Sequence, residues 1–183
     1  MWLIMSEQAV LNGPAITLME MLAARDQRVA RQKELLKTYP QTSLISVTLR
    51  IPGPVKTGTQ IHGVFKQLLA DLLTQFKTTL VFHEAQQLAT GDLAFLVVKQ
   101  PPRQLKQQLL RYEQQHRFCL LCDFDVVYLA AGQLQQVSRR ELGIAPRHCL
   151  VCGGDAKVCS RTRKHGIKAV QQAVATIVQG GFS

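Results

Sequence analysis

The sequence of 183 residues lacks the signals that would place it in a membrane or export it. It contains no uninterrupted apolar run of the ~18 residues that a transmembrane helix needs. The start, MWLIMSEQAVLNGPA, has no basic segment and contains Glu7, which argues against a secretory signal. The five cysteines are an odd number, which without an export signal favours a reducing compartment in which thiols stay free or bind metal. We therefore expect a cytoplasmic protein with no membrane association.

Familiar catalytic motifs are absent as well. The chain has no Gly-x-Ser-x-Gly motif, no Walker loop and no Rossmann fingerprint, so it shows no evident nucleophile of its own. Aromatic residues are scarce in the C-terminal basic region, which contains only Phe182. Because proteins that bind single-stranded nucleic acid stack the bases on exposed rings, this scarcity argues against nucleic acid as the partner.

Acidic residues are few compared with basic ones. Twelve Asp and Glu stand against 22 Lys and Arg, which gives a net charge of +10. Between Ser138 and Lys168 the chain has eight basic residues and two acidic ones. Such a protein should attract polyanions, which include nucleic acid, phosphate-rich cofactors and acidic partners.

The apolar pattern predicts a single α+β domain over residues 1–183. Its core is expected at about 17–143, followed by a Cys/His-rich basic segment and a helix at about 144–183. The predicted order α-β-α-β-β-α-β-β is typical of a mixed or mostly antiparallel sheet with helices packed on one face, as in split βαβ folds. The predicted helices begin near Leu18, Ile61, Pro102 and Ile167, and the predicted strands cover 43–51, 79–83, 93–98, 117–129 and 134–137.

Two aspartates, Asp123 and Asp125, interrupt the apolar stretch RFCLLCDFDVVYL at residues 117–129. Because successive side chains of a strand point to opposite faces, the two carboxylates share one face, roughly 6.5–7 Å apart along the chain. Phe124 and Val126 then face the core. A pair of this kind can hold Mg²⁺, whose remaining ligands are usually phosphate oxygens and water. The alternative is two charges at a sheet edge or beside a salt bridge.

A second set of ligand types lies nearer the C-terminus. Cys149, Cys152, Cys159 and His165 follow the spacing Cys-x2-Cys-x6-Cys-x5-His. The three cysteines are candidates for a structural zinc site, although the six-residue gap is shorter than in common zinc fingers. The alternative is a set of reduced thiols that pack as small apolar groups under the last helix.

Basic residues accompany these candidate ligands. Arg25, Arg28 and Arg31 recur every three residues on the first helix, where they form either a solvated face or a binding surface. Lys56 follows the rigid turn Pro52-Gly53-Pro54. Positive charge beside a metal–carboxylate pair suits a polyphosphate substrate, because Arg binds phosphate oxygens bidentately and Mg²⁺ neutralises the remaining charge. The chemistry indicated is metal-assisted transfer at phosphorus, in which a substrate hydroxyl attacks and pyrophosphate leaves.

Five motifs occur in a characteristic order between about residues 18 and 167. They are Arg25-Asp26-x-Arg28-x2-Arg31-Gln32, Pro52-Gly53-Pro54-x-Lys56, Asp123-x-Asp125-Val126, Ser138-Arg139-Arg140, and Arg147-x-Cys149-Leu150-x-Cys152-x3-Ala156-x2-Cys159-x-Arg161-x3-His165. Together they resemble the apo-citrate lyase phosphoribosyl-dephospho-CoA transferase family, the holo-citrate lyase synthases.

The resemblance implies a Mg²⁺-dependent enzyme of the nucleotidyltransferase type. Such enzymes transfer 2′-(5″-triphosphoribosyl)-3′-dephospho-CoA to a serine of the apo acyl carrier subunit of citrate lyase and release pyrophosphate. The attacking hydroxyl then belongs to the carrier, so the enzyme needs no nucleophile. The related enzyme of malonate decarboxylase resembles nucleotidyltransferases, which makes a nucleotidyltransferase-like fold the main variant of the predicted α+β domain.

The resemblance also suggests roles for single residues. Asp123 and Asp125 are the expected catalytic residues, which bind Mg²⁺ and align the α-phosphate with its leaving group. His165 is a candidate general base for the serine hydroxyl, with a structural or ligand role as the alternative. Glu84 and Asp92 are candidates for a third carboxylate. The candidate phosphate-binding residues, each of which could instead form a surface ion pair, are Arg28, Lys56, Arg161, Arg25 and Arg147.

One stretch departs from the family pattern. Family members tend to have Gly-Arg-Leu before the Asp-x-Asp motif, whereas this chain has Cys119-Leu120-Leu121 followed by Cys122. The missing Gly and Arg would remove a close backbone approach and one phosphate contact.

Cys119 and Cys122 would point to opposite faces of a strand, so we expect them to share no metal.

The alternative function is a non-enzymatic RNA-binding module with a zinc knuckle. It predicts bound zinc, an RNA affinity that falls steeply with salt, and indifference to the replacement of Asp123 by Asn.

Overall fold

The computed structural model describes residues 10–115 and 117–180. Within those ranges the chain forms five α-helices, a five-stranded sheet and two 3₁₀ turns, at Arg117–Leu120 and Arg140–Leu142. The helices are α1 (Leu18–Thr38), α2 (Thr59–Gln75), α3 (Pro102–Gln115), α4 (Ala156–Arg161) and α5 (Ile167–Gly180). The strands are β1 (Ser43–Leu49), β2 (Leu80–Gln86), β3 (Leu93–Val98), β4 (Cys122–Ala130) and β5 (Gln133–Gln136). Glu7 and Phe182, on which two of the sequence arguments depend, lie outside the described ranges.

The sheet has the strand order β2-β3-β1-β4-β5, and every neighbouring pair is antiparallel. The predicted α+β class with a mostly antiparallel sheet is therefore confirmed. β1 and β4 pair near the middle of the sheet, and their register places Thr48 opposite Asp123 and Ser46 opposite Asp125. None of the helices in the described ranges combines the length and the hydropathy needed to cross a membrane.

Helices cover both faces of the sheet, so the prediction of helices on one face was wrong. Neighbouring residues of β1 belong to different clusters: Leu44 packs with Leu35 and Leu36 of α1, whereas Ile45 packs in the larger core that α2, α3 and α5 share. The physical reason lies in β3, whose residues Leu93–Val98 are all buried. A strand that is apolar on both sides needs cover on both sides.

α1 begins with a capping box, which the sequence Thr17-Leu18-Met19-Glu20 predicts. The Thr17 hydroxyl accepts a hydrogen bond from the Glu20 amide at 3.2 Å, and the Thr17 amide donates to the Glu20 carboxylate at 2.7 Å. Its first half, however, does not pack as the apolar spacing suggested, because Leu18 is 74% exposed and Leu22 is 41% exposed. Burial in α1 is confined to its second half, so the first half extends past the apolar face of the sheet.

β4 starts later than predicted. Residues 117–120 form a 3₁₀ turn, and the strand begins at Cys122. Arg50 holds this turn in place: its amide donates to the Leu121 carbonyl at 2.7 Å and its guanidinium donates to the Leu120 carbonyl at 2.5 Å. The stretch is apolar because Phe118 and Cys119 are buried in the core, and burial of a turn leaves the same signal in the sequence as burial of a strand.

Candidate active site

A cleft of about 860 Å³ opens between α1, the end of β1 and residues 148–170. The first half of α1 lines it with Met21 and Ala24, and the segment after β1 lines it from Arg50 to Gly53. The loop between β2 and β3 supplies a further wall. This volume lies within the range of ligand pockets, about 300–1,000 Å³.

Positive charge dominates the cleft. Among the described residues that line it, the carboxylates are Asp92 and Asp123. The Lys and Arg residues of that lining are Arg25, Arg28, Arg50, Lys56 and Arg163. A concave surface of this composition attracts a multiply charged anion.

The turn after β1 is held by contacts on both sides. Gly53 has a φ of +85°, which favours glycine, and a Cβ at this position would lie 2.9 Å from Gln171 Nε2 of α5. On the other side, the Ile16 amide donates to the Pro54 carbonyl at 3.1 Å. The segment before α1 is thereby tied to the turn, which brings Arg25 and Lys56 to the same cleft.

Lys56 carries a charge that no carboxylate is seen to balance within the described residues. Its ammonium group donates to the Ile51 carbonyl at 2.6 Å. Burial, followed by repulsion from Arg25, lowers the pKa of Lys56 below its ordinary value. A bound phosphate would remove this penalty because it would supply the missing negative charge.

The arginines of α1 divide into two groups. Arg25 and Arg28 line the cleft, whereas Arg31 forms a bidentate pair with Glu84 at 2.7 and 2.6 Å. The hydrogen bond from Arg31 lowers the pKa of Glu84. Glu84 therefore supports α1 on the sheet, and the structure does not bring this candidate third carboxylate to the cleft.

The two aspartates of β4 lie on one face of the sheet, the face that α1 covers, but they open into adjoining cavities. Asp123 lines the large cleft, and Asp125 lines a neighbouring pocket of about 250 Å³. Arg28 lines both cavities and so stands between the carboxylates. Asp125 Oδ1 accepts a hydrogen bond from Gln136 Nε2 at 2.6 Å. Phe124 and Val126, on the other face, are fully buried as predicted.

Asp125 is held in an environment that opposes its charge. Burial, followed by repulsion from Asp123, raises the pKa of the Asp125 carboxyl, and the attraction of Lys106 and Arg28 only partly offsets this. A divalent cation bound by the carboxylates would stabilise their negative charges. The two side chains are therefore candidate ligands for a metal such as Mg²⁺, which prefers oxygen ligands.

Asp123 belongs to a chain of ion pairs behind the cleft. Its Oδ1 lies 2.5 Å from Nη1 of Arg147, and Nη2 of Arg147 lies 3.3 Å from Glu113, which also pairs with Arg139. Burial opposes the charge of Arg147, but Asp123 and Glu113 outweigh it and raise the pKa of the guanidinium. Arg147, a predicted phosphate contact, thus holds Asp123 and lies outside the described lining of the cleft.

Two residues near the aspartates, Glu113 and Arg50, were not predicted from the sequence. Glu113 pairs with Arg139 and Arg147, which lie far from it in the sequence. A buried charged residue is almost always paired, so the excess of arginine at 138–168 was a signal that some of these arginines have carboxylate partners. Arg50 directly follows β1 and precedes the turn, and its Nε is buried without a hydrogen-bond partner. Burial, followed by repulsion from Arg147, lowers its pKa. The position of Arg50, between an apolar strand and the Pro-Gly-Pro turn that carries Lys56, could have indicated a role at the cleft.

Asp92, the other candidate third carboxylate, lies in the wall of the cleft. Its side chain is buried, and Oδ2 lies 2.9 Å from Nδ1 of His62. Oδ1 is buried with no hydrogen-bond partner. Of the two candidates, the structure therefore places Asp92 at the cleft.

The structure brings Cys149, Cys152, Cys159 and His165 together. One ligand atom from each lies within 4.8 Å of the others. Sγ of Cys152 is 3.7 Å from Sγ of Cys159 and 3.3 Å from Nε2 of His165. This Cys₃His cluster could hold a metal ion, and His165 lies among its candidate ligands.

The loop around the cluster, residues 147–165, is called the knuckle below. It turns at Gly153, which has a φ of +72° and donates its amide to the Cys149 carbonyl at 3.0 Å. The Cys149 amide in turn donates to the Gly154 carbonyl at 2.6 Å. The knuckle contains a short helix that was not predicted from the sequence, α4, whose first turn is capped by the Asp155 side chain. A helix of six residues is too short to show a repeating apolar face in the sequence.

The knuckle forms one wall of the cleft. His148, Leu150 and Arg163 line the cleft from this side. Arg161, a predicted phosphate contact, is exposed in the last turn of α4 and lies outside the described lining, where Arg163 is present instead.

Comparison with known proteins agrees with this architecture. Residues 16–180 match the family described as apo-citrate lyase phosphoribosyl-dephospho-CoA transferase. A protein of Streptococcus pyogenes serotype M5 (strain Manfredo), named probable apo-citrate lyase phosphoribosyl-dephospho-CoA transferase, is 36% identical over 98% of this chain and 94% of its own length. A protein of Shigella flexneri serotype 5b (strain 8401), named apo-citrate lyase phosphoribosyl-dephospho-CoA transferase, is 33% identical over 82% of each chain.

A third relative is longer. The protein CitXG of Leuconostoc mesenteroides subsp. cremoris is 36% identical over 85% of this chain, but the match covers 33% of that relative. The family match and the nearly full-length relatives agree with the motifs gathered at the cleft. The chain belongs to the apo-citrate lyase phosphoribosyl-dephospho-CoA transferase family.

Proposed function

We propose that this protein attaches the prosthetic group of citrate lyase. The donor is 2′-(5″-triphosphoribosyl)-3′-dephospho-CoA, the acceptor is a serine hydroxyl of the apo acyl carrier subunit, and pyrophosphate is released. Family membership supports the reaction class, and the cationic cleft beside Asp123 and Asp125 carries the assignment of the site.

The cleft suits both parts of such a donor. Arg25, Arg28 and Lys56 lie where they can contact a triphosphate, because they line one side of the cleft and carry charges available to an anion. Leu150 and Ile167 provide apolar lining for the adenosine and pantetheine parts. Arg161 remains a predicted phosphate contact, and its exposed position would suit only a part of the donor outside the cleft.

Asp123 and Asp125 would hold Mg²⁺. When bound, the ion would neutralise phosphate charge and make pyrophosphate a better leaving group. Arg147 then orients Asp123 from behind, while Gln136 orients Asp125. The cysteine cluster offers mainly sulfur, which Mg²⁺ disfavours, so the carboxylates are the site for this ion.

The proposed step is a displacement at the α-phosphorus of the donor. The serine oxygen forms a new bond to phosphorus, the bond from that phosphorus to pyrophosphate breaks, and pyrophosphate leaves with the electron pair. The hydroxyl proton passes to a base. His165 was a candidate for that base, but its Nε2 lies 3.3 Å from Cys152 Sγ, which favours the alternative of a ligand role.

The RNA-binding alternative is not favoured. The family match and the named relatives support a transferase. Among the described residues that line the cleft, none is Phe, Tyr or Trp, so the cleft offers no ring on which bases could stack.

Intact-mass spectrometry tests the proposal. Purified apo carrier subunit, the donor and Mg²⁺ are incubated with the protein, and we expect the carrier to gain the mass of the donor minus pyrophosphate. Omission of Mg²⁺ with added chelator, or replacement of the acceptor serine by Ala in the carrier, should prevent the gain. The proposal fails if no mass is added under conditions in which another family member modifies the same carrier.

A further inference from the structure

We propose that Cys149, Cys152, Cys159 and His165 form a closed zinc centre that holds the basic knuckle against the cleft. The sequence predicted the three cysteines as candidate zinc ligands and left a ligand role open for His165. The structure places His165 Nε2 3.3 Å from Cys152 Sγ, which makes it the candidate fourth ligand. The centre is structural, because four protein ligands leave no open position for a substrate or water. Its effect on the transfer reaction rests on the function proposed above, whereas its existence does not.

The spacing of the ligand atoms agrees with a tetrahedron around zinc. With Zn–S bonds of about 2.3 Å and a Zn–N bond of about 2.0 Å, the edges of such a tetrahedron are about 3.8 Å between two sulfurs and about 3.5 Å between nitrogen and sulfur. The Cys152–Cys159 sulfurs lie 3.7 Å apart, and Cys152 Sγ lies 3.3 Å from His165 Nε2. These two of the six edges are thus within a few tenths of an ångström of those expected, and all four ligand atoms lie within 4.8 Å of one another.

The backbone of the knuckle already has the shape that a two-cysteine corner requires. Gly153 reverses the chain directly after Cys152, and its amide closes the turn on the Cys149 carbonyl. The amides of Val151 and Cys152 point to the sulfur of Cys149. Such donors stabilise a thiolate, which is the form that binds zinc.

Apart from Leu150, which is partly buried against the main core, apolar side chains give the knuckle little support. In α4, which the structure describes in full, Cys159 is the only buried residue. Val158 is 55% exposed and Val151 is 40% exposed. A segment with so little core needs another source of stability, and a metal centre supplies it in small domains. The packed-thiol alternative explains the burial of Cys159 but not the convergence of the exposed Cys152 and the half-buried His165 on it.

The centre would position two arginines that matter for the cleft. Arg147 is two residues before Cys149 and forms the ion pair with Asp123. Arg163 is two residues before His165 and lines the cleft. Loss of the metal should free both ends of the knuckle, and we expect it to raise the KM for the donor more than it lowers kcat.

The experiment begins with the metal content of the full-length protein. After desalting under reducing conditions, elemental analysis should find one zinc per chain. Replacement by Co²⁺ should give the d–d bands of a tetrahedral site and a thiolate-to-cobalt charge-transfer band. These measurements use the unaltered protein, so they do not depend on whether a variant folds.

Variants then test the ligand set. Cys159→Ser and His165→Asn should lose the zinc, whereas the matched controls Cys119→Ala and His148→Asn should keep it. Removal of zinc should also speed trypsin cleavage after Arg161, Arg163 or Lys164 at least about tenfold, a readout that needs no transferase activity.

Three results would overturn the proposal: no stoichiometric zinc or cobalt binding, a disulfide between Cys152 and Cys159 under the same reducing conditions, or retention of zinc by His165→Asn. A zinc-loaded protein that transfers nothing to the carrier would instead contradict the proposed function and leave the centre standing.

Discussion

The carboxylate pair on β4 and the Cys₃His cluster of the knuckle both border the cleft, but they differ in ligand atoms and in support. Asp123 and Asp125 offer hard oxygen ligands on a strand near the middle of the sheet, backed by the core through Phe124 and Val126. The cluster offers mostly sulfur on a loop with little core beneath it. Hard ligands suit an exchangeable ion that contacts phosphate, and soft ligands suit an ion that remains bound.

The two proposed metal sites relate to the fold in opposite ways, since one would depend on the fold and the other would help to form it. The strand holds the aspartates whether or not a cation is bound, at the cost of a raised pKa of the Asp125 carboxyl. The knuckle has fewer contacts of its own, so its order should depend on its metal. Variants at the first region should therefore change chemistry more than stability, and variants at the second should change both.

The largest expected effect is that of Asp125→Asn. Because loss of a residue that only supports a metal ligand typically costs about 10–100-fold, loss of a proposed ligand should lower the transfer rate at least about 100-fold. The midpoint temperature of thermal unfolding should not fall, since Asn removes a carboxylate whose charge the folded state disfavours. Transfer assays and thermal unfolding on the same samples check both parts.

The matched control for this change is Asp71→Asn on α2, which lies outside the described lining of the cleft. It should transfer at the normal rate. An Asp125→Asn variant with activity within threefold of the unaltered protein would remove Asp125 from the proposed metal site.

Glu113→Gln should lower the stability of the region around Asp123 without changing metal binding by the cysteine cluster. Glu113 is only 9% exposed and pairs with Arg139 and Arg147, so its loss should lower the free energy of unfolding by about 1–3 kcal/mol. Zinc should remain bound, because Glu113 is not in the cluster. Urea unfolding followed by circular dichroism measures the loss.

Glu34→Gln is the control for this prediction, since Glu34 forms an exposed pair with Arg31 and should contribute less than about 1 kcal/mol. Equal effects of the two variants would mean that the ion pairs behind Asp123 contribute no more than a surface pair.

Arg28→Gln should weaken donor binding. Arg28 lines both cavities beside the aspartates, and loss of one charge-assisted hydrogen bond to phosphate should raise the KM for the donor about tenfold. Higher salt should reduce the difference because it screens the charge. Steady-state kinetics at two salt concentrations measure it.

Arg111→Gln provides the comparison for this variant, because Arg111 is an exposed residue of α3 outside the described lining of the cleft. Its KM should stay within twofold of the unaltered protein. An unchanged KM in Arg28→Gln would place the triphosphate elsewhere in the cleft.

The smallest expected effect is a pH dependence of stability that arises from Asp125. Its pKa is raised in the folded protein, so the folded state holds this proton more tightly than the unfolded state does. The stability that the protonated carboxyl contributes is present below the ordinary pKa of about 4 and is lost as the pH rises through the raised value. Subtracting the unfolding free energies of Asp125→Asn from those of the unaltered protein isolates this loss.

Mg²⁺ should reduce the same difference, because a cation favours the ionised carboxylates. A difference that is flat with pH, or one that Mg²⁺ leaves unchanged, would contradict the proposed coupling of Asp125 to a metal.

Much of the fold could be predicted from local patterns. The capping box at Thr17 and the apolar period of α2 depend on neighbours three or four residues away, and both predictions agree with the structure. The start of β4 and the short helix α4 could not be predicted in this way. The turn at 117–120 depends on the contact with Arg50, and α4 depends on a turn and a cap rather than on a repeating apolar face.

The sequence by itself determined the types of chemistry available to this protein. The Asp-x-Asp alternation on an apolar strand requires both carboxylates on one face, because of strand geometry. The excess of Lys and Arg favours an anionic partner, because of its charge. The spacing of the cysteines likewise marks them as candidate ligands before any fold is known.

Only the tertiary structure decided which residues meet. It assigned Arg147 to Asp123 rather than to the cleft, brought Arg50 and Arg163 to the cleft, and placed His165 beside Cys152. These pairings join residues far apart in the chain, and their distances depend on how α1, the sheet and the knuckle pack. Local sequence patterns carry no information on such distances, because the same charge can face a substrate, a partner carboxylate or solvent according to the packing around it.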